Sequence, residues 1–248
     1  MFETGLTLDA LTIAGFAFLL AGLVKGVVGG GIPAVAVPII AGTLEPALAA
    51  ALTFVPVVAT NVWLLSQGGL FVRIIKSYWP FLGLLAIGSA LGSQILVSVS
   101  PEIMKIAIGT MVILLSPLPF IPKHWSISVK TQRWLNPPVG LLLGIIGGAT
   151  VMLAPVIIYF VALRLERDVF VAAMGAIALS SMTPLFIGLA AGGVLGVPEI
   201  ALSALVFLPT AIGMAVGVWL RVRISQRHFQ AVLSVALFSL GLKLIVGT

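Results

Sequence analysis

Between Asp9 and Glu45 the sequence carries a single charged residue, Lys25. An unbroken helix over those 35 residues would be roughly 52 Å long, whereas the hydrocarbon core of a bilayer is about 30 Å thick. The stretch must therefore break. The break is predicted at a glycine triplet (Gly29, Gly30 and Gly31) followed by Pro33, because successive glycines weaken a helix and proline removes a backbone donor.

The composition of the whole chain extends this argument. Hydrophobic residues make up 60% of the sequence and charged residues 8%, and the mean hydropathy is +1.26, which is outside the range of soluble domains. No segment shows the polar–apolar alternation of a membrane β-barrel. The sequence therefore predicts an all-α integral membrane protein whose helices satisfy their own backbone hydrogen bonds in lipid.

Charges, prolines and glycines divide the chain into about eight predicted transmembrane helices. The N-terminal MFETGLTLDA is acidic and lacks the basic region of a cleavable signal, so we expect the first span to be retained. Lys and Arg are distributed evenly between the two predicted faces, and the orientation is left open. The predicted spans are 8–29, 46–66, 77–98, 103–121, 135–162, 169–191, 199–220 and 228–247.

The sequence also repeats itself. "GLVKGVVGGGIPAVAVPII" from Gly22 aligns with "GLLLGIIGGATVMLAPVII" from Gly140, and "GSALGSQIL" from Gly88 aligns with "GMAVGVWLR" from Gly213. We interpret the chain as a duplicated four-helix unit with a broken glycine-rich helix in each half. The predicted parts are a first membrane repeat over 1–122, an inter-repeat loop over 123–134 and a second repeat over 135–248. Four spans per repeat favour parallel repeats over inverted ones, unless a glycine segment is re-entrant.

These glycine-rich elements, together with the closing "SALVFLPTAIGMAVGVWLRVRISQRHFQAVLSVALFSLGLKLI", resemble the TauE/SafE family of sulfite exporters, also called toluene sulfonate uptake permeases. The likeness covers nearly the whole chain, and its most specific part is the "G..G..GG...P" element in each half. The resemblance implies a permease of about eight helices in a prokaryotic inner membrane. Its implied substrate is a small sulfur-containing or organic anion such as sulfite or an organosulfonate.

The sequence departs from the family's pattern in three places. Ala149 and Thr150 stand where the fuller motif continues with glycine, and "ALT" at 51–53 replaces the Gly-Thr-Ser often seen in the following helix. Lys25 stands where the family is commonly apolar or small. Of the second motif, Thr53 alone carries over.

A small anion in a membrane needs fixed donors, and a broken helix supplies backbone amides at the positive end of its dipole. We expect two such breaks, one per repeat, to hold the anion at the midplane. Lys25 lies one turn before the triplet and would balance its charge, and proton or cation coupling would follow from that charge. The predicted substrate-binding residues are Lys25, Gly29, Gly30, Gly31, Thr53, Asn61, Gly147, Gly148 and Thr150.

Lysines, glycines and threonines within membrane spans also have simpler interpretations than substrate binding. Lys25 would be an anchor if its side chain reached the membrane surface. Glycines of the small-xxx-small kind pack helices together, and we assign Gly22 with Gly26, and Gly88 with Gly92, to that role. Intramembrane threonines commonly bond to the preceding turn of their own helix.

Other functions are disfavoured by what the sequence lacks. There is no cysteine, both histidines lie at predicted span ends, and no acidic pair falls within a span, so we expect neither an enzyme nor a metal site. No phosphate-binding loop is present, and no cofactor is expected. The net charge of +6 sits at span ends rather than on a nucleic-acid footprint. An anion channel or a non-transporting membrane subunit stays open as an alternative, and oligomer formation is compatible with the sequence.

Overall fold

The structure is a computed structural model, and it describes residues 8–66, 71–117, 129–163 and 165–247. Every regular element in this part of the chain is an α-helix, which confirms the all-α prediction. The helices are α1 (Leu8–Val28), α2 (Ile32–Ala41), α3 (Pro46–Ala51), α4 (Phe54–Ser66), α5 (Phe71–Ser98), α6 (Pro101–Leu115), α7 (Val129–Thr150), α8 (Ala154–Ala162), α9 (Arg167–Ala191), α10 (Val197–Arg221) and α11 (Gln226–Val246).

Five helices of the described part are long and apolar enough to cross a bilayer: Asp9–Val28, Val72–Ser98, Ala172–Ala191, Val197–Arg221 and His228–Val246. They coincide with five of the eight predicted spans. The other three predicted spans differ from the structure. The span at 46–66 is interrupted between α3 and α4, the span at 135–162 is divided into α7 and α8, and α6 is 15 residues long.

The chain forms two compact units. Unit 1 comprises Met1–Val57, Val99–Ile121 and Gly193–Thr248, and unit 2 comprises Val58–Ser98 and Pro122–Gly192. Each unit therefore combines helices from both predicted repeats. The repeat boundaries at 1–122 and 135–248 stay a prediction about the sequence. The predicted loop at 123–134 is partly helical, since α7 begins at Val129, while 123–128 lie outside the described residues.

In unit 1, α1 packs against α10 through glycines on both helices. A methyl group added at Gly22 or Gly26 would collide with the backbone of α10, and one added at Gly213 or Gly217 would collide with the backbone of α1. Only glycine lets the two backbones approach this closely. The predicted packing role of Gly22 and Gly26 is confirmed.

Unit 2 uses the same arrangement with the repeats exchanged. Gly88 and Gly92 of α5 lie against the backbone of α7, and Gly144 and Gly148 of α7 lie against the backbone of α5. The packing role predicted for Gly88 and Gly92 is therefore confirmed too.

An aromatic cluster fills the rest of the unit 2 core. Phe81 of α5 stacks on Tyr159 of α8 at a centroid distance of 5.4 Å, and Phe160 packs edge-on against Phe81 at 5.1 Å. The Tyr159 hydroxyl donates to the side chain of the buried Asn136 on α7. The cluster joins α5, α7 and α8 and fixes α8 after the break that precedes it.

The structure corrects the alignment of the two repeats by one helical turn. Helices α1 and α7 end at Val28 and Thr150, and helices α2 and α8 begin at Ile32 and Ala154, which gives a separation of 122 residues in both cases. The packing agrees, because Gly213 faces Leu19 and Leu23 of α1, whereas its counterpart Gly88 faces Leu141 and Ile145 of α7. The sequence alignment of Gly22 with Gly140 is wrong because it paired identical residues. The glycines that pack against equivalent residues of the neighbouring helix are Gly22 and Gly144.

The second helix break consequently lies outside the glycines that were assigned to it. Gly147, Gly148 and Thr150 do not open a half-helix, because they form the last turn of α7. Gly148 is a packing glycine that lies against Ser89 of α5. The chain leaves the helix at Val151, which adopts a left-handed conformation with φ of 60°.

Candidate substrate-binding site

The site begins at the C-terminal end of α1. The amide of Gly29 donates to the carbonyl oxygen of Lys25 at 2.7 Å, and Gly29 is left-handed with φ of 95°. This is a common way to end a helix, and glycine is the residue that adopts it without strain. Lys25 lies half-buried in the last turn, where its ammonium also compensates the negative end of the α1 dipole.

The glycine triplet is not a packing motif. A methyl group added at Gly29, Gly30 or Gly31 would meet no atom of the chain outside its chain neighbours within 4 Å, in contrast to the colliding glycines of α1 and α10. Gly31 is left-handed with φ of 100°, whereas no positive φ is found at Gly30. Backbone conformation therefore favours glycine at two of the three positions, and an added side-chain carbon would point into open space at all three.

Helix α2 starts directly after the triplet. Gly31 is its N-cap, no side chain caps the helix end, and Pro33 occupies the first turn. The N-terminal amides of α2 carry the positive end of its dipole. Lys25, an open backbone segment and a helix N-terminus thus occur within ten residues of chain, and this combination suits an anion.

The hydroxyls of the two candidate threonines donate to main-chain carbonyls of the preceding helical turn. Thr53 is fully buried and its hydroxyl donates to the carbonyl oxygen of Ala50 at 2.7 Å. The Thr150 hydroxyl donates to the carbonyl oxygen of Ile146 at 2.7 Å. A hydroxyl has one proton to give, so in this conformation both side chains present lone pairs rather than donors. This is the back-bonded arrangement weighed for intramembrane threonines.

The remaining candidates lie in unit 2. Asn61 is buried within α4, at an exposed fraction of 8%. A methyl group added at Gly147 would lie 3.4 Å from the carbonyl oxygen of Met152 and 3.6 Å from the Ser181 hydroxyl, which is ordinary contact. Unit 1 thus contains Lys25, the glycine triplet and Thr53, while unit 2 contains Asn61, Gly147, Gly148 and Thr150.

A model of the sulfite exporter TauE/SafE family matches residues 14–244. The chain belongs to this family. No curated protein and no solved structure shows a significant match. Membership confirms the resemblance seen in the glycine-rich elements, and together with the five apolar helices it supports a multi-pass membrane protein of a transporter family rather than an enzyme.

Sequence reasoning missed two features of this TauE/SafE protein. The first is Ser203 of α10, whose buried hydroxyl bonds to the joint between α3 and α4. Pro56 was the available signal for that joint, because proline cannot donate within a helix. The second is Val151, for which the sequence offers no signal, since a β-branched residue is among the least expected in the left-handed region.

Proposed function

We propose that this TauE/SafE protein is a secondary permease that carries a small sulfur-containing or organic anion, such as sulfite or an organosulfonate, across a prokaryotic inner membrane. Family membership supports the transporter class. This proposal includes the eight-span topology. In it, α3 and α4 together form one span, α7 and α8 together form another, and α6 forms a short one.

The single observation that carries the anion site is the α1–α2 break. Its three glycines do not pack against another helix, because an added side-chain carbon at each would meet nothing within 4 Å. Two of them, Gly29 and Gly31, are left-handed, which favours glycine. A backbone segment left open in this way lets a ligand come within hydrogen-bond distance of main-chain amides. We assign substrate contact to Gly29, Gly30 and Gly31, with Lys25 as the compensating charge. To donate to the anion, the Gly29 amide would have to leave the carbonyl oxygen of Lys25.

Lys25 would also link transport to another ion. A permanent charge within an apolar helix is costly, so binding of an anion lowers the cost of keeping the ammonium charged. A proton or another cation that moves with the anion would preserve this balance. Transport that does not depend on pH or on Lys25 would contradict this part of the proposal.

The hypothesis that one anion lies at the midplane between both glycine-rich segments adds Thr53, Asn61, Gly147, Gly148 and Thr150. It rests on the duplication of the sequence alone. For Thr53 and Thr150 to donate to an anion, each hydroxyl would have to leave the carbonyl that it now contacts. These residues are therefore secondary members of the proposed site.

The experiment is thermal unfolding of the purified protein in detergent with sulfite, thiosulfate, sulfate, an organosulfonate, a small carboxylate or chloride. A ligand that binds the folded state alone raises the unfolding midpoint. We expect one sulfur anion to stabilise the parent and not Lys25→Met. Lys243→Met is the matched control, because Lys243 also lies in the last turn of its helix and its carbonyl accepts from a glycine amide four residues on, at 2.9 Å.

A uniform response of parent and Lys25→Met would make Lys25 an anchor, and no response to any anion would contradict the substrate class. Counterflow in proteoliposomes then separates a carrier from a channel, since a carrier exchanges labelled for unlabelled substrate. A non-transporting subunit would show neither binding nor flux.

A further inference from the structure

Helices α3 and α4 meet at an interrupted turn that contains a proline. Leu52 and Thr53 lie between the two helices, and Pro56 lies in the first turn of α4. In a continuous helix the carbonyl of Leu52 would accept from the amide of residue 56, but proline has none. The amide of Val55 would donate to Ala51, and at the joint this bond is lost as well. One carbonyl and one amide therefore need other partners.

A single side chain from α10 meets both needs. The Ser203 hydroxyl donates to the carbonyl oxygen of Leu52 at 2.7 Å and accepts from the amide of Val55 at 2.9 Å. Ser203 is fully buried, so water does not compete for either bond. All of these residues belong to unit 1. The hydroxyl uses its one proton and one of its lone pairs on the joint, and it stands in for the two missing backbone partners.

We propose that Ser203 is a positioning residue that holds the α3–α4 joint in its interrupted form and so fixes Thr53, which follows Leu52 directly, for substrate binding. The transport part of this inference rests on the proposed function, whereas the hydrogen-bond part does not. Ser203 acts through Leu52 and Val55 rather than by touching substrate. Its two bonds also connect α10 of the second predicted repeat to the joint in the first.

The alternative is that Ser203 only fills space beside the joint. The two interpretations differ when residue 56 regains an amide. Pro56→Ala supplies the donor that Leu52 lacks, so Ser203 should become largely dispensable in that background. A residue that merely fills space would give the same effect on stability with or without Pro56, because distant or independent contributions add.

The first measurement is thermal unfolding of Ser203→Ala, Pro56→Ala and the double variant. We expect Ser203→Ala to lower the midpoint by about 3 to 10 °C, because it leaves a buried carbonyl and a buried amide without partners. In the Pro56→Ala background the same change should lower it by less than half as much. Equal losses in both backgrounds would overturn the proposal.

Ser116→Ala is the matched control, since Ser116 is also buried in unit 1 but its hydroxyl donates within its own turn, to Ile113 at 2.8 Å. We expect a smaller loss for this variant and no dependence on Pro56. If Ser203→Ala alone fails to fold, Ser203→Cys keeps the volume with a weaker donor and gives the same comparison.

The second measurement is anion uptake by proteoliposomes at several substrate concentrations. A positioning role predicts a rise in KM of roughly fivefold for Ser203→Ala with a smaller change in the maximal rate. The KM should stay raised in the double variant, because the amide of Ala at position 56 restores the bond of a continuous helix rather than the interrupted joint. An unchanged KM in Ser203→Ala would contradict positioning of Thr53. If the parent carries no anion at all, the proposed function fails, while the coupling of Ser203 to Pro56 is still decided by unfolding.

Discussion

The two helix breaks lie 122 residues apart, at equivalent places in the two predicted repeats, and differ in nearly every side chain. At the α1–α2 break Gly29 and Gly31 are left-handed, and at the α7–α8 break the left-handed residue is Val151, the counterpart of Gly29. Lys25 of the first break corresponds to Gly147 of the second, at the same separation of 122 residues that relates Val28 to Thr150. Between the two predicted repeats the break thus keeps its position but neither its chemistry nor its whole backbone path, because Gly31 has φ of 100° and its counterpart Leu153 has φ of −89°.

The surroundings of the two breaks differ in the same sense. Val151 and Met152 are buried, and the second break is filled by its own side chains. The first break is exposed at Gly29 and partly exposed at Gly30 and Gly31, and an added side-chain carbon at any of the three would point into open space. A left-handed conformation costs a non-glycine residue about 1–2 kcal/mol, which packing must offset at Val151 and which Gly29 does not incur. The first break is therefore suited to contact a ligand, and the second is suited to hold helices.

The largest effect is expected where the comparison predicts identical behaviour. By the corrected alignment Gly26 and Gly148 are counterparts, and each lies against a backbone that cannot give way. Gly26→Val and Gly148→Val should each cost several kcal/mol, about 3 or more, because the clash is with main chain rather than with a flexible side chain. Gly83→Val in α5 is the control, since an added methyl group there meets nothing within 4 Å.

The yield of folded, monodisperse protein after detergent extraction checks this prediction. Loss of one glycine variant with normal behaviour of the other would show that the two packing interfaces are not equivalent.

A smaller effect separates the glycines within the first break. Gly29→Ala places a side chain in the left-handed region and should lower the free energy of unfolding by about 1 kcal/mol. Gly30→Ala meets neither strain nor a clash, so its stability should equal that of the parent. Both should weaken anion binding if the substrate approaches the triplet. Thermal unfolding with and without the stabilising anion measures the two effects, and full anion response in Gly30→Ala would contradict backbone contact.

The first break could be predicted from the sequence because its signals are local. Glycine adopts the conformations at Gly29 and Gly31 without strain, and a lone charge such as Lys25 is conspicuous among apolar residues. The all-α class and five of the spans could also be predicted, because long apolar stretches are visible directly in the sequence. Packing through Gly22 and Gly26 was predictable because their spacing puts both on one helix face.

The second break could be predicted only in part. Pro155 in the first turn of α8 is a local signal, as Pro33 is in α2, but no local signal fixes the residue at which α7 ends. Val151 and its two apolar neighbours have no preference for leaving a helix there, and tertiary packing decides the place. The identity of Gly147 and Gly148 with glycines of the first break led the alignment one turn away. The α3–α4 joint has a local signal in Pro56, but its partner Ser203 lies 151 positions from Leu52, and such a pairing is set by the fold.

The smallest effect is expected from Val151→Gly, which makes the second break resemble the first. The change removes strain of about 1–2 kcal/mol, and it also removes a buried side chain whose loss costs about 2–3 kcal/mol. The two terms largely cancel, so the unfolding midpoint should fall by only a few degrees, about 3 °C. Ala149→Gly in the same helix end serves as a control for added backbone freedom.

If the second break only holds helices, anion-dependent stabilisation and uptake in Val151→Gly should be the same as in the parent. A marked change in anion affinity in Val151→Gly would show instead that both breaks contact the substrate, as the duplication of the sequence first suggested.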